Sequence, residues 1–221
     1  MNANFSMVRA FLFDLDGTLI DSKIDLVNSV NFTLREMKRG TLPLDTVAGY
    51  IGHGAPRLVA DALGPAATEQ DRKVALEIFL AHYEKHSLDA TRAYPGVAEG
   101  LEALREQRMA VLTNKPLKMS LEILEGLGLR KYFRHVYGGD SFSAKKPDPA
   151  GAQIILKDLG ARPEEAAMVG DSDVDVQTAR NAGMLAVHVN YGFGQYTRDA
   201  HPADIYVDSL QEIAALAFSP R

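Results

Sequence analysis

Val8-Arg9-Ala10-Phe11-Leu12-Phe13-Asp14-Leu15-Asp16-Gly17-Thr18 is an apolar run of strand length that stops at an aspartate and is followed by a bend-forming glycine. Runs of the same kind recur at residues 109–113, 135–138, 166–169 and 184–189. Between them, residues 97–107, 117–127, 149–159 and 172–182 carry apolar side chains at three- and four-residue spacing, as in Leu117, Leu121, Leu124 and Leu127. Strands alternating with helices of this length imply right-handed crossovers, hence an α/β fold with a doubly wound, Rossmann-like parallel sheet. One region breaks the alternation. Residues 22–86 show helical periodicity (Ile24, Val27, Val30, Leu34, Met37, then Leu58, Ala62, Leu63, then Val74, Ile78, Ala81) and no convincing strand. Gly17-Thr18 and Tyr94-Pro95-Gly96 flank it with the residues that short connections use. The expected organisation is a core of residues 1–17 and 95–221 with an inserted all-helical cap of residues 18–94.

Composition narrows the chemistry. With 221 residues, 46% hydrophobic and 24% charged, the chain reads as globular and long enough to bury a core without staples. It has no cysteine, which excludes disulfides, thiolate metal sites and cysteine nucleophiles. Lysine and arginine total 24 against 29 acids, and the net charge of −5 argues against nucleic acid as a partner. No segment has the length and apolarity of a membrane span, and Phe11-Leu12-Phe13 is too short for the core of a signal peptide, so the expectation is a cytoplasmic monomer or homodimer with no membrane partner. Asn31-Phe32-Thr33 matches a glycosylation sequon, which without a secretory signal carries no weight.

The polar residues at the strand ends carry the functional signal, because ligands of open parallel sheets bind beyond the carboxyl ends of the strands. Asp14 and Asp16 stand at i and i+2, where two carboxylates can share a divalent cation while holding different roles. A plain Asp-Gly turn is the competing reading. Gly170-Asp171-Ser172-Asp173-Val174-Asp175 places three acids within five residues after another strand, an arrangement that repels itself unless a cation is near. It starts like a calcium loop but fails that pattern, with Val176 at the turn glycine and Ala182 at the terminal glutamate. A solvated helix N-terminus is the alternative there. Thr113 and Asn114 end a third strand with a hydroxyl and an amide, and Lys146 sits in Lys146-Pro147-Asp148-Pro149 as a cation on a stiff segment. Each is weak alone. His82 and His86 are four apart, as in zinc helices, yet Glu84 lies off their face, and no glycine fingerprint for a dinucleotide or P-loop is present.

Taken together, Asp14-x-Asp16-Gly17-Thr18, Thr113, Lys146 and Gly170-Asp171-(three residues)-Asp175 stand in an order that resembles the haloacid dehalogenase-like hydrolase superfamily, over residues 8–190. Within it, Gly138-Gly139-Asp140-Ser141-Phe142, Lys145-Lys146-Pro147-Asp148-Pro149 and Ile51-Gly52-His53-Gly54-Ala55-Pro56 are most similar to the phosphoglycolate phosphatases. The resemblance implies a small-molecule phosphate ester as substrate and Mg2+ as cofactor. It implies Asp14 as nucleophile and Asp16 as general acid and base. It also implies a metal held by Asp14, Asp171 and the backbone carbonyl of Asp16, with Asp175 orienting water or Lys146. Thr113, Asn114 and Lys146 would hold the phosphoryl oxygens. In the cap, Gly52-His53-Gly54 and Arg57 are expected to read a substrate carboxylate. Other small-ester phosphatases, a pyrophosphatase, a sugar phosphomutase and a silent binding module are the alternatives; the last would be free to lose Asp16.

Overall fold

Ala10, Phe11, Leu12 and Phe13 are all fully buried, so β1 (Ala10–Phe13) is an interior strand covered on both faces. The twofold alternation of side chains divides it cleanly. Phe11 and Phe13 join one apolar cluster, while Ala10 and Leu12 join another. In the computed structural model, which describes residues 5–218, these clusters lie on opposite sides of a single parallel sheet.

The elements follow in chain order. After β1 come β2 (Ile20–Asp21), α1 (Lys23–Glu36), α2 (Leu44–Ala48), α3 (Ala55–Leu63), α4 (Glu69–His86) and β3 (Arg92–Ala93). The rest comprises α5 (Val97–Ala103), β4 (Arg108–Leu112), α6 (Leu117–Gly126), β5 (His135–Tyr137), α7 (Ala150–Leu159), β6 (Ala166–Gly170), α8 (Asp173–Ala182), β7 (Leu185–Val189), β8 (Ile205–Val207) and α9 (Leu210–Phe218). The six-stranded sheet runs β5-β4-β1-β6-β7-β8 with every pairing parallel. Val97 and Leu101 of α5, Ile123 and Leu124 of α6, and Leu210 and Ile213 of α9 cover the Phe11/Phe13 face. On the other face Ile155 and Leu156 of α7 and Val176 and Ala179 of α8 pack over Ala10, Ala110, Ala166 and Ala186. Four alanines across adjacent strands let those two helices lie close to the sheet.

The order of strands fixes where a ligand can sit. From β1 the chain passes to β4 and outward to β5, then returns to β6 on the other side of β1. That reversal opens a crevice at the carboxyl ends of β1, β4 and β6, the switch point of a doubly wound sheet.

Helices α1 to α4 form the insertion, with Leu26, Val30 and Leu34 of α1 packed among Leu58, Val59, Ala75 and Phe79. One detail differs from the all-helical expectation: β2 and β3 pair antiparallel, Ile20 with Ala93 and Asp21 with Arg92, so the two chain crossings into the insertion form a ribbon. Two-residue strands are below the length at which alternation can be read from sequence. Asp25 ties the ribbon to α1. Its buried carboxylate accepts from the backbone N–H groups of Ala90 and Thr91 and from the Thr91 hydroxyl, at 2.7–3.0 Å. No described helix is long and apolar enough to cross a membrane.

Candidate active site

Adjacent strands deliver the reactive groups to one place. Asp14 follows β1, its N–H held by Val169 O at 2.9 Å on the neighbouring strand. Thr113 follows β4, Asp171 follows β6, and Lys146 comes from the loop between β5 and α7. The ammonium of Lys146 lies 2.9 Å from Asp14 Oδ1 and 2.6 Å from Asp175 Oδ1. Asp14, Asp171 and Asp175 each offer an oxygen within 4.8 Å of the others.

Asp175 spends both oxygens locally. Its Oδ2 accepts from the hydroxyl and backbone N–H of Ser172, which closes the first turn of α8, and its Oδ1 takes Lys146. Asp171 is cradled from another side: Phe193 and Gly194 donate backbone N–H bonds to its Oδ2 at 3.0 and 2.6 Å. Gly17 has φ +82°, and a Cβ there would stand 1.9 Å from Asp171 Oδ2, so only glycine lets the turn after Asp16 come this close.

Burial sets the electrostatics. It pushes the Asp14 carboxyl up to about 6, with Lys146 pulling down and the charges of Asp175 and Asp16 pushing up. It pushes Asp171 further, to about 8, helped by Asp175 and Asp14 and opposed by the two loop amides. For Lys146, burial works against the charge, but Asp14 and Asp175 outweigh it and hold the group above the ordinary lysine range. Asp14 Oδ1 sits near Lys146 without the alignment of a hydrogen bond, which leaves it a buried oxygen short of a partner. Mutually repelling buried carboxylates, an under-bonded oxygen and an all-oxygen donor set fit a hard divalent cation.

Asp16 faces the other way. Its carboxylate takes Lys115 Nζ at 2.9 and 3.0 Å and the Ser22 hydroxyl, and Lys115 also donates to Tyr83 OH of α4 at 2.8 Å. The charge of Asp16 and the Tyr83 hydroxyl overcome the effect of burial and keep Lys115 above its usual range. Asp14, Asp16, Thr113 and Lys115 line a narrow cleft between sheet and insertion, walled by residues such as Leu26, Leu58, Phe79 and Met119.

A model of the haloacid dehalogenase-like hydrolases matches residues 11–189, which run from β1 to the end of β7 and include Asp14, Asp16, Thr113, Lys115, Lys146, Asp171 and Asp175. The chain belongs to the haloacid dehalogenase-like hydrolase family. It is 39% identical over 217 residues to a phosphoglycolate phosphatase of Nitrosospira multiformis, covering 95% of both chains. It is 38% identical over 215 residues to one of Pseudomonas syringae pv. tomato, covering 93% of this chain and 78% of that one. Among solved structures, a predicted phosphoglycolate phosphatase from Haemophilus somnus is similar with a TM-score of 0.86 and 30% identity, over 94% of this chain and 96% of that one.

Within this family member, the structure gathers Asp14, Asp16, Thr113, Lys146, Asp171 and Asp175 around the crevice, and Gly52 and Gly54 reach the cleft from the insertion. Three other expected residues are placed differently from these. Arg57 is exposed and bonds Asp61 at 2.7 and 2.9 Å, lining a separate surface hollow, because its place on α3 points it away from the cleft. His53 is exposed and does not line the cleft. The Asn114 side chain is spent on loops: its amide donates to Gly52 O and Lys146 O, and its oxygen accepts from Lys146 N. Asp173 also lies apart, accepting from Thr197 N at 2.8 Å. Sequence reasoning passed over Lys115, Tyr83 and the amides of Phe193 and Gly194. Lys115 carried a signal, standing one residue beyond the strand-end pair Thr113-Asn114.

Proposed function

We propose that this phosphatase of the haloacid dehalogenase-like family hydrolyses a small phosphate monoester, 2-phosphoglycolate, to glycolate and phosphate through an aspartyl-phosphate on Asp14. The carrying observation is that Asp14 and Asp16 line one cleft while facing different cations, Lys146 for the first and Lys115 for the second. Two neighbouring carboxylates are thereby given different surroundings, as a nucleophile and a proton carrier require. The chain's similarity to phosphoglycolate phosphatases at 36–40% identity supports the substrate.

In the first displacement a carboxylate oxygen of Asp14 attacks phosphorus and the ester P–O bond breaks, with Asp16 giving its proton to the departing alkoxide. Asp16, now a carboxylate, takes a proton from water as that water's oxygen attacks phosphorus. The bond to Asp14 breaks and phosphate leaves. Lys146 and the Thr113 hydroxyl hold the phosphoryl oxygens, and Asp175 positions Lys146. Asp14, Asp171 and the Asp16 carbonyl are the groups that would hold Mg2+, whose charge offsets that of the carboxylates and phosphate. In this reading residues 1–17 and 95–221 are the catalytic core and residues 18–94 the cap, acting in the cytoplasm as monomer or homodimer.

A phosphate-release screen with Mg2+ across 2-phosphoglycolate, sugar phosphates and pyrophosphate tests the substrate, and a clear preference for a sugar phosphate overturns it. Asp14→Asn is expected to lose turnover with an unchanged circular dichroism spectrum. Normal rates in that variant sink the nucleophile assignment.

A further inference from the structure

With Arg57 turned outward, the group that reads the leaving half of the substrate has to be found in the cleft itself. Among the described residues that line it, Lys115 is the one cation. Its side chain is 3% exposed, and its ammonium lies 4.5 Å from the centre of the Tyr83 ring as well as bonding that hydroxyl. Tyr83, itself 1% exposed, accepts from Lys115 and donates to no acceptor among the described residues. A buried hydroxyl proton without an acceptor is an uncommon and unfavourable arrangement in a folded interior. Beside it stands an ammonium whose three N–H groups reach both oxygens of Asp16 and the Tyr83 hydroxyl, and whose pairing with Asp16 is relieved when that carboxyl carries the proton meant for the leaving oxygen. With Asp16 protonated, the pair presents the complement of a carboxylate: the charge and N–H groups of Lys115 released from Asp16, and the Tyr83 hydroxyl proton.

Position points to the same occupant. Lys115 Nζ is bonded to both oxygens of Asp16. A leaving oxygen protonated by Asp16 is therefore delivered to the neighbourhood of that ammonium. In a short phosphorylated hydroxy acid the carboxylate is a single methylene from the leaving oxygen. A longer polyol would instead push its hydroxyls against Leu26, Leu58, Phe79 and Met119, where they would find no partners.

Building on the assignment of Asp16 as the acid toward the leaving oxygen, we propose that Lys115 and Tyr83 are the specificity-determining residues that receive the carboxylate of the substrate. The core supplies the charge and the insertion supplies the hydroxyl, so the carboxylate bridges the two. A short acidic ester then gives the Tyr83 proton an acceptor, whereas an ester without the carboxylate leaves it unpaired.

The test compares 2-phosphoglycolate with ethyl phosphate, which depends as much on Asp16 for its alkoxide but lacks the carboxylate. Lys115→Met keeps the length of the stem and removes the charge, and Tyr83→Phe keeps the buried ring and removes the hydroxyl. The ratio of kcat/KM between the two esters is expected to fall by roughly 10- to 100-fold in Lys115→Met and by about 10-fold in Tyr83→Phe, mostly through KM for 2-phosphoglycolate. An equal loss on both esters overturns the proposal and makes Lys115 only a holder of Asp16. If Lys115→Met does not fold by circular dichroism, Tyr83→Phe decides alone. A wild-type enzyme with no preference for 2-phosphoglycolate overturns the substrate reading itself, a result distinct from equal losses in the variants of a selective enzyme.

Discussion

Asp171→Asn should make the metal-free protein more stable, and more so as pH rises. The wild-type carboxyl is 3% exposed and pushed up from 3.8 to about 8, first by burial and then by Asp175 and Asp14. A raised folded-state value means that the folded chain binds the proton more tightly than the unfolded chain does. The stabilisation by that proton is fully present below about pH 4 and is lost progressively as pH climbs toward 8. Integrated from 3.8 to pH 7, the loss is roughly 4 kcal/mol. Asparagine mimics the protonated acid at every pH. Its oxygen can still accept from Phe193 and Gly194, and its amide faces the oxygens of Asp14 and Asp175 without repelling them. With a chelator present, the two proteins should melt together near pH 4 and separate by about 10 °C near pH 8, the variant higher. Adding magnesium at about 100 times its dissociation constant should return roughly 2.7 kcal/mol to the wild type and nothing to the variant. Melting by differential scanning fluorimetry between pH 4 and 8, with and without the ion, reads all of this. A metal-free variant less stable than wild type at pH 8, or a difference independent of pH, would refute the picture of a site held under charge repulsion.

Two further substitutions test the frame around the site. Asp25→Ala leaves two backbone N–H groups and the Thr91 hydroxyl without their acceptor, so a loss of about 3–5 kcal/mol is expected from urea unfolding. Gly17→Ala brings a Cβ to 1.9 Å from Asp171 Oδ2 at a φ of +82°, and should weaken the magnesium-dependent rise in melting temperature at least 10-fold in ion concentration.

What could be read from sequence was whatever a single strand or helix carries by itself. Phe11 and Phe13 against Ala10 and Leu12 announce a strand buried on both faces, and an acid placed after such a strand is directed to the functional edge of the sheet. Asp14, Asp171 and Lys146 were legible for that reason. Lys115 was not, because its meaning depends on partners 99 residues away at Asp16 and 32 away at Tyr83. No local pattern distinguishes a lysine that will be buried between them from one that will face water. Arg57 is the opposite case, a residue whose sequence setting suggests the cleft and which the structure places outside it. It follows a glycine turn at the start of a helix, a plausible anion site, but the next helical turn offers Asp61 on the same face and the pair closes on itself. Strand β8 and helix α9 lie beyond the last motif, and a strand as short as Ile205–Val207 announces itself only by pairing with β7.

A chain with five more acids than bases nonetheless builds a receptor for an anion, and the placement of two lysines explains how. Each is buried, and each is paired with acids from a different part of the motif set: Lys146 with Asp14 and Asp175, Lys115 with Asp16. Were both aimed at the same carboxylate, a substrate carrying a phosphate and a carboxylate would meet one pole and could bind in either sense. Separated as they are, the cations define two poles on either side of the Asp14-Leu15-Asp16 turn. Buried charges interact more strongly than exposed ones and are little screened by salt, so the polarity should persist at high ionic strength. Selectivity for the carboxylated ester over ethyl phosphate should accordingly change by less than about threefold between low and high salt. If it collapsed instead, selectivity would have to come from exposed charges at the mouth of the cleft, and Lys115 would lose its role as the second pole.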